Sequence, residues 1–207
     1  IGATADNVPA EYLAVMGASG SGKTTLLHLI GCLDRPTSGS IRLSGTNLAG
    51  LDDDALSNLR SRRIGFVFQA FHLIPQLSLV ENVELPLIYQ GIERAQRLER
   101  ARRMLEAVGL AERSAHRPSE LSGGECQRAA IARALVVEPD VLLADEPTGN
   151  LDTRTGDEIM AILADLHRRG ATIVLVTHDP AKAQMAERLI EMRDGRLPLW
   201  LPGHGAG

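Results

Sequence analysis

The sequence predicts an α/β fold, a parallel sheet wound with helices. Three observations carry that expectation. Short β-rich apolar runs alternate with helical patterns, a glycine-rich turn joins the first run to an apolar helix, and each run stops against a polar residue or glycine. Ligands in open α/β sheets sit at the carboxyl ends of the strands, so those stops should converge on one site.

The elements follow in order. LAVM (Leu13 to Met16) reads as a buried strand, followed by a helix through TTLLHLI that stops at Gly31. IGFVF (Ile64 to Phe68), VLLA (Val141 to Ala144) and TIVLV (Thr172 to Val176) read as further strands, and RLIEM (Arg188 to Met192) as another before Asp194-Gly195. Their ends fall at Gly17, Gln69, Asp145 and Thr177. Residues from about Pro75 to Leu121 lack strand signal. There Leu98, Ala101, Leu105 and Val108 recur at helical spacing, with five arginines of the same run expected on a solvated face. The expected organisation is one domain over residues 1–207. Its nucleotide-binding core comprises residues 11–74 and 126–197, and residues 75–125 form an inserted α-helical subdomain. The first ten residues and the tail LPGHGAG read as loop or frayed terminus.

Composition narrows the function classes. A hydrophobic content of 44% in 207 residues supports a sizeable core. A formal net charge of −4 is the wrong sign for a nucleic-acid footprint, so no nucleic-acid partner is expected. No apolar run is long enough to span a membrane and no signal peptide precedes the first strand. The two cysteines, Cys32 and Cys126, have no metal or framework spacing and read as free thiols in a reducing, cytoplasmic compartment.

GASGSGKT (Gly17, Ala18, Ser19, Gly20, Ser21, Gly22, Lys23, Thr24) fits the phosphate-binding loop G-x-x-x-x-G-K-[ST] in the strand-to-helix context the motif requires. Its glycines let backbone amides turn onto phosphate, and the helix start adds its positive end. Lys23 is suited to the β and γ oxygens of ATP, and the Thr24 hydroxyl to Mg²⁺. Only Lys23 and Lys182 are lysines among 22 basic residues, so a lysine here points to a required compact charge. In VLLADEP, Asp145 is placed to hold Mg²⁺ through water and Glu146 to orient and polarise an attacking water. Gln69 and His178 also follow strands, and by position alone read more readily as structural than as catalytic. Thr177 or Asp179 can cap a helix with Pro180 at its first position.

LSGGE (Leu121, Ser122, Gly123, Gly124, Glu125) looks like an anion-binding loop without a lysine. Ser122 with Glu125 three residues on forms a capping box for the helix ECQRAAIARAL.

In this order GASGSGKT, Gln69, LSGGE, VLLADEP, GNLD and Thr177-His178 resemble the ATP-binding subunits of ABC transporters, from about Glu11 to Arg196. CLDRPTSG, GFVFQAFHLIP, ENVELPLIY and DEPTGNLD are similar to one branch, the lipoprotein-release, macrolide-export and division-associated ATPases. The resemblance implies a P-loop NTPase core with an inserted helical subdomain, and ATP and Mg²⁺ as ligands. Thr25 and Gln69 join the nucleotide-binding residues, and Thr24, Gln69 and Asp145 the metal set. His178 contacts the γ-phosphate, and Asn150, Leu151 and Asp152 form a dimer-crossing D-loop. LSGGE acts as the signature, binding the γ-phosphate held by a second copy, which is why it needs no lysine.

The implied partners are that second copy and an integral membrane permease, with the chain peripheral on the inner face of the cell membrane. A regulator that works a membrane complex without transport stands beside the transport reading. A soluble translation or repair relative fits less well, since neither a tandem domain nor a long coiled-coil insertion is present. Glu125 departs from the glutamine commonest at its position. Residues 1–10 lack the aromatic residue on which the family stacks adenine, and Tyr12 is a poor substitute. Phe71, Leu73, Ile74, Leu79 and Leu87 cluster near Gln69; some are expected in the core, and an exposed patch of them would mark a membrane-facing partner groove between the core and the helical subdomain.

Overall fold

The apolar runs pair into one sheet whose inner strands carry side chains for two buried faces, while the run at its Arg188–Glu191 edge is only half-buried. The computed structural model describes residues 10–197. Its first half runs β1 (Tyr12–Met16), α1 (Lys23–Ile30), β2 (Arg42–Leu43), β3 (Thr46–Asn47), α2 (Asp53–Arg63) and β4 (Ile64–Phe68). There follow α3 (Leu79–Tyr89), α4 (Arg94–Ala107), α5 (Gly123–Leu135), β5 (Val141–Asp145), α6 (Thr153–Arg168), β6 (Ile173–Val176), α7 (Pro180–Ala183) and β7 (Arg188–Glu191). The expected terminal loops, apart from residue 10, lie outside the described residues.

The main sheet has the order β4-β5-β6-β1-β7, and every pairing is parallel. Such a sheet must be covered on both sides, which the alternation in its strands achieves. In β5, Leu142 and Ala144 join one apolar core while Val141 and Leu143 join another; in β6, Ile173 and Leu175 are separated from Val174 and Val176 in the same way. The first core continues into the helical segment through Leu79, Val83, Leu87, Ala101 and Leu105. The second is closed by Leu27 of α1 and Leu56 of α2. The helices between β4 and β5 therefore share a core with the sheet.

Two features depart from the sequence reading. The β2–β3 hairpin and α2 were not anticipated, because the strands are two residues long and α2 buries only Leu56. Asp52 nevertheless caps α2 by accepting from the Ala55 amide at 2.8 Å, with acids in the first turn and arginines in the last, as the helix dipole favours. Arg97 is not on a solvated face. It donates to Glu84 at 3.0 Å and to the Ile92 carbonyl at 2.6 Å, and both side chains of the pair are largely buried. The apolar set near Gln69 divides as expected between core and surface: Leu79 and Leu87 are core residues, Phe71 and Leu73 are half-buried, and Ile74 is exposed.

Candidate functional site

The parallel order brings four loop starts to one edge of the sheet. After β1, the segment Gly17–Gly22 turns into α1, with Gly20 at φ 78° and Gly22 at φ 99°, a region glycine enters without penalty. A Cβ at Gly17 would lie 2.4 Å from the Met192 carbonyl oxygen and 2.5 Å from Ser21 Oγ, so only glycine fits. Lys23 Nζ donates to the carbonyls of Gly17 and Ala18, each at 2.9 Å, which holds the ammonium over the loop. Ser21 is buried, and its hydroxyl has no partner among the described residues.

Across the cleft, Thr24 Oγ1 donates to Asp145 Oδ2 at 3.4 Å. Burial pushes the Asp145 carboxyl above the usual carboxylate range and the neighbouring Glu146 charge adds to this, while Thr24, His28 and Lys23 oppose it. Glu146 sits at φ 46°, an uncommon backbone region for a residue with a side chain, which marks a locally constrained position. Its Oε1 lies 2.8 Å from His178 Nδ1, and the Thr177 hydroxyl donates to its Oε2 at 3.5 Å. Gly17–Gly20, Gly22–Thr25, Asp145, Glu146 and His178 line this one cleft. Asp179 caps α7 by accepting from the Ala181 amide, with Pro180 at the first helical position.

The other expected site residues lie outside the cleft lining. Gln69 donates through Nε2 to Asn150 Oδ1 at 3.1 Å, and Asn150 Nδ2 donates back to the Gln69 carbonyl at 3.0 Å. Asp152 caps α6, accepting from the Thr155 amide and hydroxyl, and these bonds hold its carboxyl below the usual range. Leu151 packs against the core beside LSGGE, where a Cβ at Gly123 would meet its Cδ2 at 3.2 Å.

LSGGE itself starts α5. Ser122 Oγ accepts from the Glu125 amide at 3.3 Å, and Glu125 Oε2 accepts from the Ser122 amide at 2.9 Å, which completes the capping box. The Ser122 amide and the Ser122 hydroxyl, at 2.9 and 2.8 Å, both donate to the Glu125 carboxyl and, with Arg113 at 3.6 Å, hold it low. Ser122 and Gly123 are exposed, while Gly124 is buried against Thr155. Cys126 is buried, which raises its thiol, and it contacts the Pro118 carbonyl at 3.6 Å.

Sequence reasoning missed Arg133. From α5 it donates to the carbonyls of Phe71, at 2.8 Å, and His72, and so holds the loop that follows Gln69. Nothing in the sequence separates this arginine from the solvated ones. Tyr12 is 1% exposed, packs against His167 at a ring distance of 5.6 Å, and burial pushes its hydroxyl up to about 12. It is a core residue and offers no stacking face to a base.

The family model described as ABC transporter matches residues 4–149, more than half of the chain. The chain belongs to the ABC transporter family. As a member of that family it is 52% identical over 189 residues to the macrolide export ATP-binding/permease protein MacB of Hahella chejuensis, which covers 91% of this chain but 29% of MacB. The cassette thus spans under a third of that relative. It is 54% identical over 187 residues to the uncharacterized ABC transporter ATP-binding protein YknY of Bacillus subtilis, covering 90% of this chain and 81% of YknY. The fold matches the ATP-binding cassette MJ0796, solved as a dimer in a post-hydrolysis state bound to ADP and Pi. The TM-score is 0.82 at 46% identity, covering 91% of this chain and 84% of MJ0796. The α/β fold anticipated from the sequence is therefore that of the ABC cassette. Among the described residues, no helix is long and apolar enough to cross a membrane.

Proposed function

We propose that the chain is the ATP-hydrolysing subunit of an ABC transporter, dimerising around two ATP molecules to drive an integral membrane permease. One observation carries this reading: Lys23, Thr24, Asp145, Glu146 and His178 line one cleft, and no signature residue lines it. A phosphate in that cleft meets a lysine and a helix start on one side only. The exposed Ser122 and Gly123 of a second copy are suited to close the other side.

The residues present fit Mg²⁺ with nucleotide. Thr24 Oγ1 and Asp145 Oδ2 are hard oxygen donors in contact, and the described residues hold no cluster of three or more His, Cys, Asp or Glu that would form a protein-only cage. When bound, Mg²⁺ neutralises charge developing on the β and γ oxygens. Thr24 and Asp145 hold it on this reading, with Gln69 as a further oxygen donor. Lys23 exchanges its loop carbonyls for phosphate oxygens. Glu146 accepts the proton of the attacking water, and His178, bonded to Glu146, contacts the γ-phosphate. Asn150, Leu151 and Asp152 cross to the second copy. Residues 75–125 form the helical subdomain that presents the signature.

The permease assignment rests on MacB, whose name joins an ATP-binding part to a permease and of which this chain matches only a part. The cargo path then belongs to the permease, and the chain sits at the inner face of the membrane through it. Purified chain with Mg-ATP is expected to release phosphate, and Lys23→Ala to lose ATP binding. A pull-down from detergent-solubilised membranes should recover a multispanning protein. Phosphate release that survives Lys23→Ala would overturn the site, and recovery of soluble partners alone would overturn the transport reading.

A further inference from the structure

Gln69 is held on both sides, and one holder has a chemistry the cleft itself does not explain. Gln69 Nε2 donates to Asn150 Oδ1 at 3.1 Å, and Asn150 Nδ2 returns a bond to the Gln69 main-chain carbonyl at 3.0 Å. A Cβ at Gly149 would lie 2.6 Å from Gln69 Nε2 and 2.9 Å from its Cδ, so the side chain rests directly on the Gly149 backbone. Beyond Gln69 the chain passes through Phe71 and His72 at φ 55° and 51°, and Arg133 fixes both their carbonyls. The loop is thus clamped by α5, while the Gln69 amide is set by Asn150.

The reciprocal pair engages the amide nitrogen of Gln69 and, among the described residues, leaves Oε1 without a partner. Mg²⁺ takes oxygen donors and demands near-octahedral geometry, so a flipped amide offering nitrogen would be lost to it. We infer that Asn150 is a positioning residue for Gln69, selecting the amide rotamer whose oxygen is offered to nucleotide-bound Mg²⁺. This rests on the metal reading given above. The carboxamide of Asn150 both accepts from Nε2 and donates to the main chain. Asn150→Asp retains the acceptor and loses the donor, and Asn150→Ala loses both.

The test measures binding without turnover. In a Glu146→Gln, Ser122→Arg background, checked by light scattering to be monomeric, Mg²⁺ is titrated against binding of a fluorescent ATP analogue. Asn150→Ala is expected to raise the half-saturating Mg²⁺ concentration about tenfold, as loss of an orienting partner does at a metal site. Nucleotide binding in EDTA should be unchanged. Asn150→Asp gives a smaller shift in the same direction. Gly149→Ala, which crowds Gln69 without altering Asn150, also shifts it upward. Gln69→Ala shifts the midpoint as far as Asn150→Ala does, and combining the two adds nothing, because both act through one oxygen. Fully additive shifts, or a shift for Gln69→Ala with none for Asn150→Ala, would overturn the inference alone. If neither Gln69→Ala nor Asp145→Asn moves the midpoint, the metal reading fails as well.

Discussion

Replacing Glu146 by glutamine separates chemistry from folding. The side chain keeps its shape but loses the lone pair that accepts a proton from water. Removing a positioned general base costs about 10²- to 10⁴-fold in rate, which is about 3–5 kcal/mol of barrier. The structural cost is far smaller. Glu146 Oε1 lies 2.8 Å from His178 Nδ1, but the His178 side chain is 73% exposed, so solvent screens the pair. An exposed pair contributes at most about 1 kcal/mol, or about 2–4 °C in Tm for a domain of this size. The variant should therefore bind ATP, melt within that range of the parent, and lose at least 99% of its kcat. Glu146→Gly makes the complementary point: φ 46° suits glycine, so it should fold at least as well and be equally inactive. Phosphate release, fluorescent-nucleotide binding and thermal melts test both. A kcat within about threefold of the parent, with binding intact, would refute the assignment of Glu146 as base.

Two further substitutions probe the site and its frame. The folded state holds the Asp145 proton more tightly than the unfolded chain, so this group's contribution falls as pH rises from the ordinary carboxylate value through the raised one. At neutral pH Asp145→Asn should raise the Tm of the nucleotide-free chain by a few degrees, about 2–4 °C per kcal/mol, and lower it relative to the parent in saturating Mg-ATP; calorimetry in both conditions checks the inversion. His167 is held protonated mainly by Glu187 at 3.0 Å, and then by the Ala171 carbonyl at 3.1 Å, which raises its titration point. Its stabilisation is full below about pH 6.5 and is lost as pH rises through the raised value. The gap in urea midpoint between parent and His167→Gln should therefore be wide near pH 6 and close by about pH 9, and a gap independent of pH would exclude this cause.

Much of the fold was legible because its signals are local. The strands in IGFVF and VLLA, the stop at Gly31 and the Ser122–Glu125 capping box follow from composition and spacing over a few residues. The cleft was legible because parallel strands deliver their carboxyl ends to one edge, so Lys23, Asp145 and His178 needed only correct strand ends to be brought together. What escaped depends on long-range packing. The helical period of residues 94–108 does not say that Arg97 meets Glu84 on a neighbouring helix, nor that Leu79 and Leu87 enter the core while Ile74 stays out. The pairing of Gln69 with Asn150 joins residues 81 positions apart through side-chain amides, for which periodicity carries no signal. Arg133 carries no distinguishing signal in sequence, and its role emerges only from the carbonyls of Phe71 and His72.

The central claim is that the signature completes the cleft of a second copy. Mixing Lys23→Ala with Ser122→Arg tests it most directly. Each variant alone should be inactive, since both composite sites of its homodimer carry a lesion. In a mixed dimer one site takes both lesions and the other joins an intact phosphate loop to an intact signature. Random exchange makes about half the dimers mixed and so about a quarter of all sites whole, as two-fold symmetry requires. With exchange shown by pulling down one variant through a tag on the other, the account predicts recovery of signature-dependent nucleotide protection at about that fraction of sites. No recovery despite demonstrated exchange would place the signature's action within its own chain and contradict the composite site.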